Sequence, residues 1–147
     1  MESSKTDQPN VKRFQNLVIA EIILLFAQFQ MGMSTNLYTV ISTTNPWSTV
    51  LQGSGIELLL HIWNGMAILI ISAVTIVVAR RLDYGVIWKL VIVALALTGL
   101  AIFAGFEFFL NGQDNSYSSI MAGSFLTVYT LFFVAVYFAR NKRENSK

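Results

Sequence analysis

The chain has 147 residues, 54% of them hydrophobic and 12% charged, with a formal net charge of +2 and a mean hydropathy of +0.58. Ordinary soluble domains carry about 25% charged residues, so this composition argues against a water-soluble enzyme, a disordered linker and a nucleic-acid binder, the basic residues sitting in short clusters between apolar runs. The lack of cysteine removes disulfides and thiolate metal sites, and the single histidine, His61, removes any site needing two from one chain.

In chain order, residues 1–13 read as a polar tail. A first apolar segment follows at about 14–33, dense in Leu, Ile, Val and Phe although Glu21, Gln28 and Gln30 interrupt it. It is not read as a cleaved leader, because Glu21 breaks the run and no small-x-small site follows. Residues 34–56 form one long connection rich in Ser, Thr, Asn and Gly, with Pro46-Trp47 inside it. Three further apolar segments lie at about 57–80, 86–110 and 117–139, joined by short turns, and 140–147 is a basic tail. A bilayer core of about 30 Å needs roughly 20 apolar residues as helix. Helix is the spanning form expected here, since alternating barrel strands are absent. The expectation is an all-α transmembrane antiparallel four-helix bundle, up-down-up-down, as one domain over 14–139 in the lipid bilayer.

The basic residues set the orientation. Lys5, Lys12 and Arg13 precede the first span, Arg80, Arg81 and Lys89 flank the second turn, and Arg140, Lys142, Arg143 and Lys147 follow the last span. The 34–56 and 111–116 connections carry none. The positive-inside rule therefore places both termini in the cytoplasm of a multi-pass cell-membrane protein. Tyr38, Trp47, Trp63 and Tyr117 fall near the outer boundary, and Tyr84, Trp88 and Tyr137 near the inner one, as interfacial aromatic rings do.

Placing residues 100° apart gives each span a face. Glu21, Leu25, Gln28, Gly32 and Thr35 share one on the first helix; Glu57, His61, Asn64, Ile68, Ser72 and Thr75 share one on the second, with Gly65 at its edge. Small residues at four-residue spacing, Ala94-Thr98-Ala101-Gly105 on the third and Ser119-Gly123-Thr127-Thr130 on the fourth, read as inward stripes for close packing. By depth, Gln28 matches Asn64 and His61, while Glu21 lies toward the cytoplasm near Ser72 and Thr75. That placement leaves a polar line from Glu21 through Gln28, Asn64 and His61 to Glu57 geometrically possible.

An ionisable group within a span costs about 2.5–3.5 kcal/mol and is a functional candidate by default. Plainer readings stand beside it. Glu57 suits a helix N-terminus facing water, Glu107 reaches for the interface, Gln28 and Asn64 serve as interhelical hydrogen-bond glue, and His61 pairs with Glu57 one turn away. Three functional classes remain. One is a non-enzymatic subunit or accessory component, with partner subunits or a homo-oligomer. The second is a haem-binding cytochrome with His61 as an axial ligand. Its second-ligand candidate is Met121, although Met121 lies with Phe125, Val128 and Phe132 on the side expected to face lipid. The third is a proton-coupled transporter with Glu21 as the carrier carboxylate. No nucleophile–base pair or metal-ligand cluster stands out, so the reading leans away from an enzyme.

Two resemblances bear on these classes. Ala20-Glu21-Ile22, and Ile62-Trp63-Asn64-Gly65 running to Arg81-Leu82-Asp83, look like pieces of small multidrug-resistance transporters, four-helix proteins with a glutamate in the first helix. In that family the second stretch belongs to the third helix; here it is in the second. More of the chain is similar to a group of uncharacterised small four-helix membrane proteins of archaea and bacteria. That likeness is carried by Gln28-Phe29-Gln30-Met31-Gly32-Met33, Asn36-Leu37-Tyr38, His61 with Gly65, Phe109-Leu110, Asp114, and Ser119 with Met121-Ala122-Gly123. Their layout resembles one half of haem A synthase, with an acid and a histidine early in a helix, as Glu57 and His61 are. This chain lacks the arginine that follows that histidine and a histidine in the last helix.

Overall fold

The computed structural model describes residues 7–51, 55–82 and 84–145, with side chains between 9 and 141. Lys5 and Lys147, and the side chains of Lys142 and Arg143, which entered the charge argument, lie outside the described residues, as does Asp83 of the transporter-like stretch. The chain folds as α1 (Asp7–Tyr38), a short α2 (Pro46–Leu51), α3 (Ile56–Arg80), α4 (Gly85–Leu110) and α5 (Asn115–Asn145). The all-α four-helix bundle is the observed architecture, and α1, α3, α4 and α5 are each long and apolar enough to cross a membrane.

The helices run past the bounds that hydropathy gives. α1 begins within the expected 1–13 tail and continues to Tyr38, and α5 extends through Arg140 into the basic tail. Hydropathy marks where lipid is needed, whereas helical hydrogen bonding continues until capping or a loop stops it. The 34–56 connection is correspondingly shorter as coil. Its first residues complete α1, and α2 occupies its second half.

Heptad-like seams explain the packing. On α1, Val11, Phe14, Val18, Glu21, Leu25, Gln28, Gly32 and Thr35, with Thr39 just beyond its end, alternate steps of three and four, and the residues of this row are buried or half-buried. α3 continues the rule through Leu58, His61, Gly65, Ile68, Ser72, Thr75 and Ala79. A 3.5-residue repeat keeps one seam facing its neighbours along the full length. α1 packs on α3 and α5, and α4 packs on the same two helices, closing a ring. Facing pairs run in opposite senses. Glu21 meets Ser72 and Thr75 while Ser34 meets Glu57, and Tyr84 meets Phe138 while Gly105 meets Met121. With the end of the bundle at the α4–α5 turn named outer and the opposite end inner, as labels only, an inner core includes Phe14, Leu82, Ile87, Val91 and Phe132, and an outer one joins Ile41, Leu58, Phe108 and Phe109.

One inward face is reversed from expectation. On α5 the buried side is Ser124, Val128, Phe132, Ala135 and Ala139, while Ser119, Gly123, Thr127 and Thr130 are exposed. Bulk is needed there, and Phe125 stacks on Phe29 of α1 at 4.9 Å. The outward hydroxyls of Ser119, Thr127 and Thr130 bond to the carbonyls four residues earlier, which removes the penalty of facing an apolar medium. Met121 likewise turns inward. It is half-buried, with its sulfur 3.3 Å from where a Cβ on Gly105 would stand.

The outer loop is tied down by Gln113, in the α4–α5 turn. Its Oε1 accepts from the Ile41 backbone N–H at 3.1 Å and its Nε2 donates to the Thr39 carbonyl at 2.7 Å. Gly112 (φ 67°) ends α4 in the left-handed conformation that glycine tolerates, and the Gln113 N–H reaches back to the Phe108 carbonyl. Trp47 of α2 packs edge-on to Phe109 at 4.9 Å. The 39–45 segment is thus fastened over the outer core.

Candidate functional site

The polar residues singled out above gather on the α1–α3 seam, in two tiers. In the inner tier Glu21 is fully buried. Ser72 Oγ donates to its Oε2 at 3.1 Å, and Thr75 Oγ1 lies 2.5 Å from its Oε1. Ser72 and Thr75 are themselves fully buried. They occupy adjacent seam positions of α3, so one turn of helix presents two hydroxyls to one carboxyl.

The outer tier is an amide–imidazole network. Asn64 Nδ2 donates to Gln28 Oε1 at 2.8 Å and to the Leu24 carbonyl at 3.0 Å. Gln28 Nε2 lies 3.2 Å from His61 Nε2. With the Gln28 amide as donor, His61 Nε2 accepts and the ring proton sits on Nδ1, which is buried and has no hydrogen-bond partner among the described residues. Two glycines make room for this tier. A Cβ on Gly32 would stand 3.0 Å from His61 Cε1, and one on Gly65 would stand 3.2 Å from Gln28 Nε2. His61 and Gln28 therefore each lie over a glycine of the opposite helix, the close approach that small residues permit.

Two expected pairings do not form. Glu57, exposed at the outer end of α3, turns to the Ser34 hydroxyl across the seam, leaving His61 to α1. The continuous polar line is also broken. Buried Leu25 and Ile68 occupy the layer between the tiers, and the seven residues from Glu21 to Gln28 span about 10 Å of helix rise. Glu107, half-buried near the outer end of α4, accepts from Asn111 Nδ2 at 2.8 Å.

The arrangement does not fit a haem. The ring nitrogen that would meet iron is already in hydrogen-bond contact with Gln28, and the ring edge lies over the Gly32 backbone with no slot between. Met121 packs on α4 at Gly105, whereas His61 packs on α1. A porphyrin between α1 and α3 would require both tiers to part.

Three features of this region were not anticipated. The first is the Gln113 clamp, whose positive φ of 64° no pattern in the sequence announces. The second is the Leu24 carbonyl as a partner of Asn64. The third is buried Thr35, whose hydroxyl has no hydrogen-bond partner among the described residues. No family model matches the chain, and no curated protein and no solved structure matches it either.

Proposed function

We propose that this chain is a four-span integral protein of the cell membrane, threaded up-down-up-down with both termini in the cytoplasm, and that it serves as a non-enzymatic component of a membrane complex. The observation that carries this reading is the division of its polar groups. The inward ones hold α1 to α3 through side-chain hydrogen bonds, while α5 turns outward a row of glycine and self-satisfied hydroxyls at which another helix can approach closely. The resemblance of the sequence to a group of small four-helix membrane proteins supports the architecture in this reading. Cross-linking in native membranes, followed by mass measurement in mild detergent, tests it. The expected species is heavier than the 16.4 kDa chain, and a lone chain in both settings overturns the proposal.

A second reading, proton-coupled transport through Glu21, is supported by a carboxyl with no solvent exposure held by two hydroxyls. Under it, Glu21→Gln abolishes the decay of an imposed pH gradient in proteoliposomes while folding is retained. Decay that survives the substitution ends the carrier role.

A further inference from the structure

The hydrogens around Glu21 can be counted. Three contacts of hydrogen-bond length meet at the inner tier: Ser72 Oγ to Glu21 Oε2 at 3.1 Å, Thr75 Oγ1 to Glu21 Oε1 at 2.5 Å, and Thr75 Oγ1 to the Ile71 carbonyl at 2.9 Å. As separate two-centre bonds they require three hydrogens. Ser72 and Thr75 own one apiece. The Ile71 carbonyl has none to give, and an ionised carboxylate has none either. With Ser72 donating to Glu21 and Thr75 donating to Ile71, the third hydrogen belongs to the carboxyl.

From this count we infer that Glu21 is a neutral carboxylic acid donating to Thr75, so that Glu21, Ser72 and Thr75 form a proton-binding site inside the α1–α3 pair. Thr75 is its positioning residue. While the proton is bound, Thr75 accepts from Glu21 and donates to Ile71. When the proton leaves for solvent water, the Thr75 hydrogen must turn to the carboxylate, and the Ile71 carbonyl loses its side-chain donor. Proton release is thereby tied to a backbone group of α3 four residues away.

The setting agrees with a neutral group. The carboxyl has no solvent exposure, and the seam positions about one turn away on either side, Leu25 and Ile68 one way and Val18, Val78 and Ala79 the other, are all buried apolar residues. The ionisable side chains described on the helices packed against α1 are Glu57, His61 and Arg80 on α3, and Tyr117, Tyr129, Tyr137 and Arg140 on α5. On α1 itself they are Lys12, Arg13 and Tyr38, with Arg13 two turns inward of Glu21. The inference rests on the membrane-spanning reading alone and requires neither transport nor a partner.

Infrared spectroscopy of the full chain in liposomes, with glutamate carboxyls labelled with carbon-13, tests it. An isotope-shifted protonated-carboxyl stretch is expected in the wild type at neutral pH. That band is lost in Glu21→Gln, whose amide still offers a donor to Thr75 and an acceptor to Ser72. In Thr75→Ala the band persists and moves to higher frequency, because the acid has lost its acceptor. Helical circular dichroism and a monodisperse elution profile establish that each variant folds. Where Glu21→Gln does not fold, the wild-type band and its shift in Thr75→Ala decide. No protonated band in the wild type, a band that survives Glu21→Gln, or one that Thr75→Ala leaves unmoved overturns the inference. A failed topology or cross-linking experiment would refute the functional reading without removing the band.

Discussion

Asn64 holds the outer tier together, because one amide group reaches both the Gln28 side chain and the Leu24 carbonyl. Asn64→Leu is expected to cost about 0.6–2 kcal/mol in denaturant-titrated micelles, the span of values for interhelical polar contacts in membranes. A Gln28–Asn64 double-mutant cycle separates their shared contact from general packing. Glycines offer a sharper contrast. Gly32→Val forces a side chain into the His61 ring and should cost about 1–3 kcal/mol. Gly99→Ala meets open space and should be neutral or stabilising by up to about 1 kcal/mol. Equal effects at the two positions would remove the close-approach account of the seam. At this scale the sequence is legible where a residue has a strong preference and a single angular solution. Glu21 beside Ser72 and Thr75 follows from the helical period and depth alone. The α5 face does not, since back-bonded hydroxyls are tolerated outside and Phe125, Val128 and Phe132 are apolar enough for either lipid or core. What decides is the volume left by α1 and α4, which no single helix records.

At the scale of elements, the ends of α4 and α5 are set by two residues in their short turn. Asp114 caps α5, its carboxylate accepting from the Ser116 backbone N–H at 2.7 Å, and that N–H holds the carboxyl below the ordinary aspartate range. A depressed folded-state value means the stabilisation is fully present above the unfolded value near 4 and is lost as the pH falls through the folded one. Asp114→Ala should therefore lower the thermal midpoint at neutral pH, with the gap to wild type closing in acid. Asp114→Asn should retain most of the cap without that acid dependence. A gap that is constant down to strongly acidic pH would exclude a charge-assisted cap. Gln113 fastens the 39–45 segment while holding a positive φ. Both Gln113→Ala and Gln113→Gly lose the clamp, and limited proteolysis should then cut within 39–45. The glycine variant should be about 1 kcal/mol the more stable, because alanine retains the left-handed strain. Hydropathy marks residues 34–56 as polar and stops there. The clamp depends on one amide matching two backbone groups more than 70 positions away, a match with no local signature.

The whole molecule is a ring of four membrane-length helices whose cohesion is unevenly distributed. The α1–α3 side is joined by side-chain hydrogen bonds in both tiers, whereas α4 and α5 meet through apolar packing, as at Gly105 and Met121. Opposite running of paired helices, together with ten basic residues that avoid the 34–56 and 111–116 connections, makes threading a testable consequence of charge. The chain has no cysteine, so single substitutions report without background. Thr44→Cys in the outer loop and Asn111→Cys after α4, both exposed, should react with a membrane-impermeant maleimide on intact cells. Asn141→Cys, near the end of α5, should react only after the membrane is opened. Reaction of all three from outside, or of Asn141→Cys alone, would reverse or abolish the proposed orientation. In the proposed orientation, the Glu21 tier lies in the cytoplasmic half and the His61 tier in the outer half, with Leu25 and Ile68 as the apolar layer between. Proton exchange at Glu21 should then respond to cytoplasmic pH before external pH. In oriented liposomes, the Glu21 carboxyl band should track the pH of the compartment that Asn141→Cys faces, and tracking of the opposite compartment would place the access path on the wrong side of that layer.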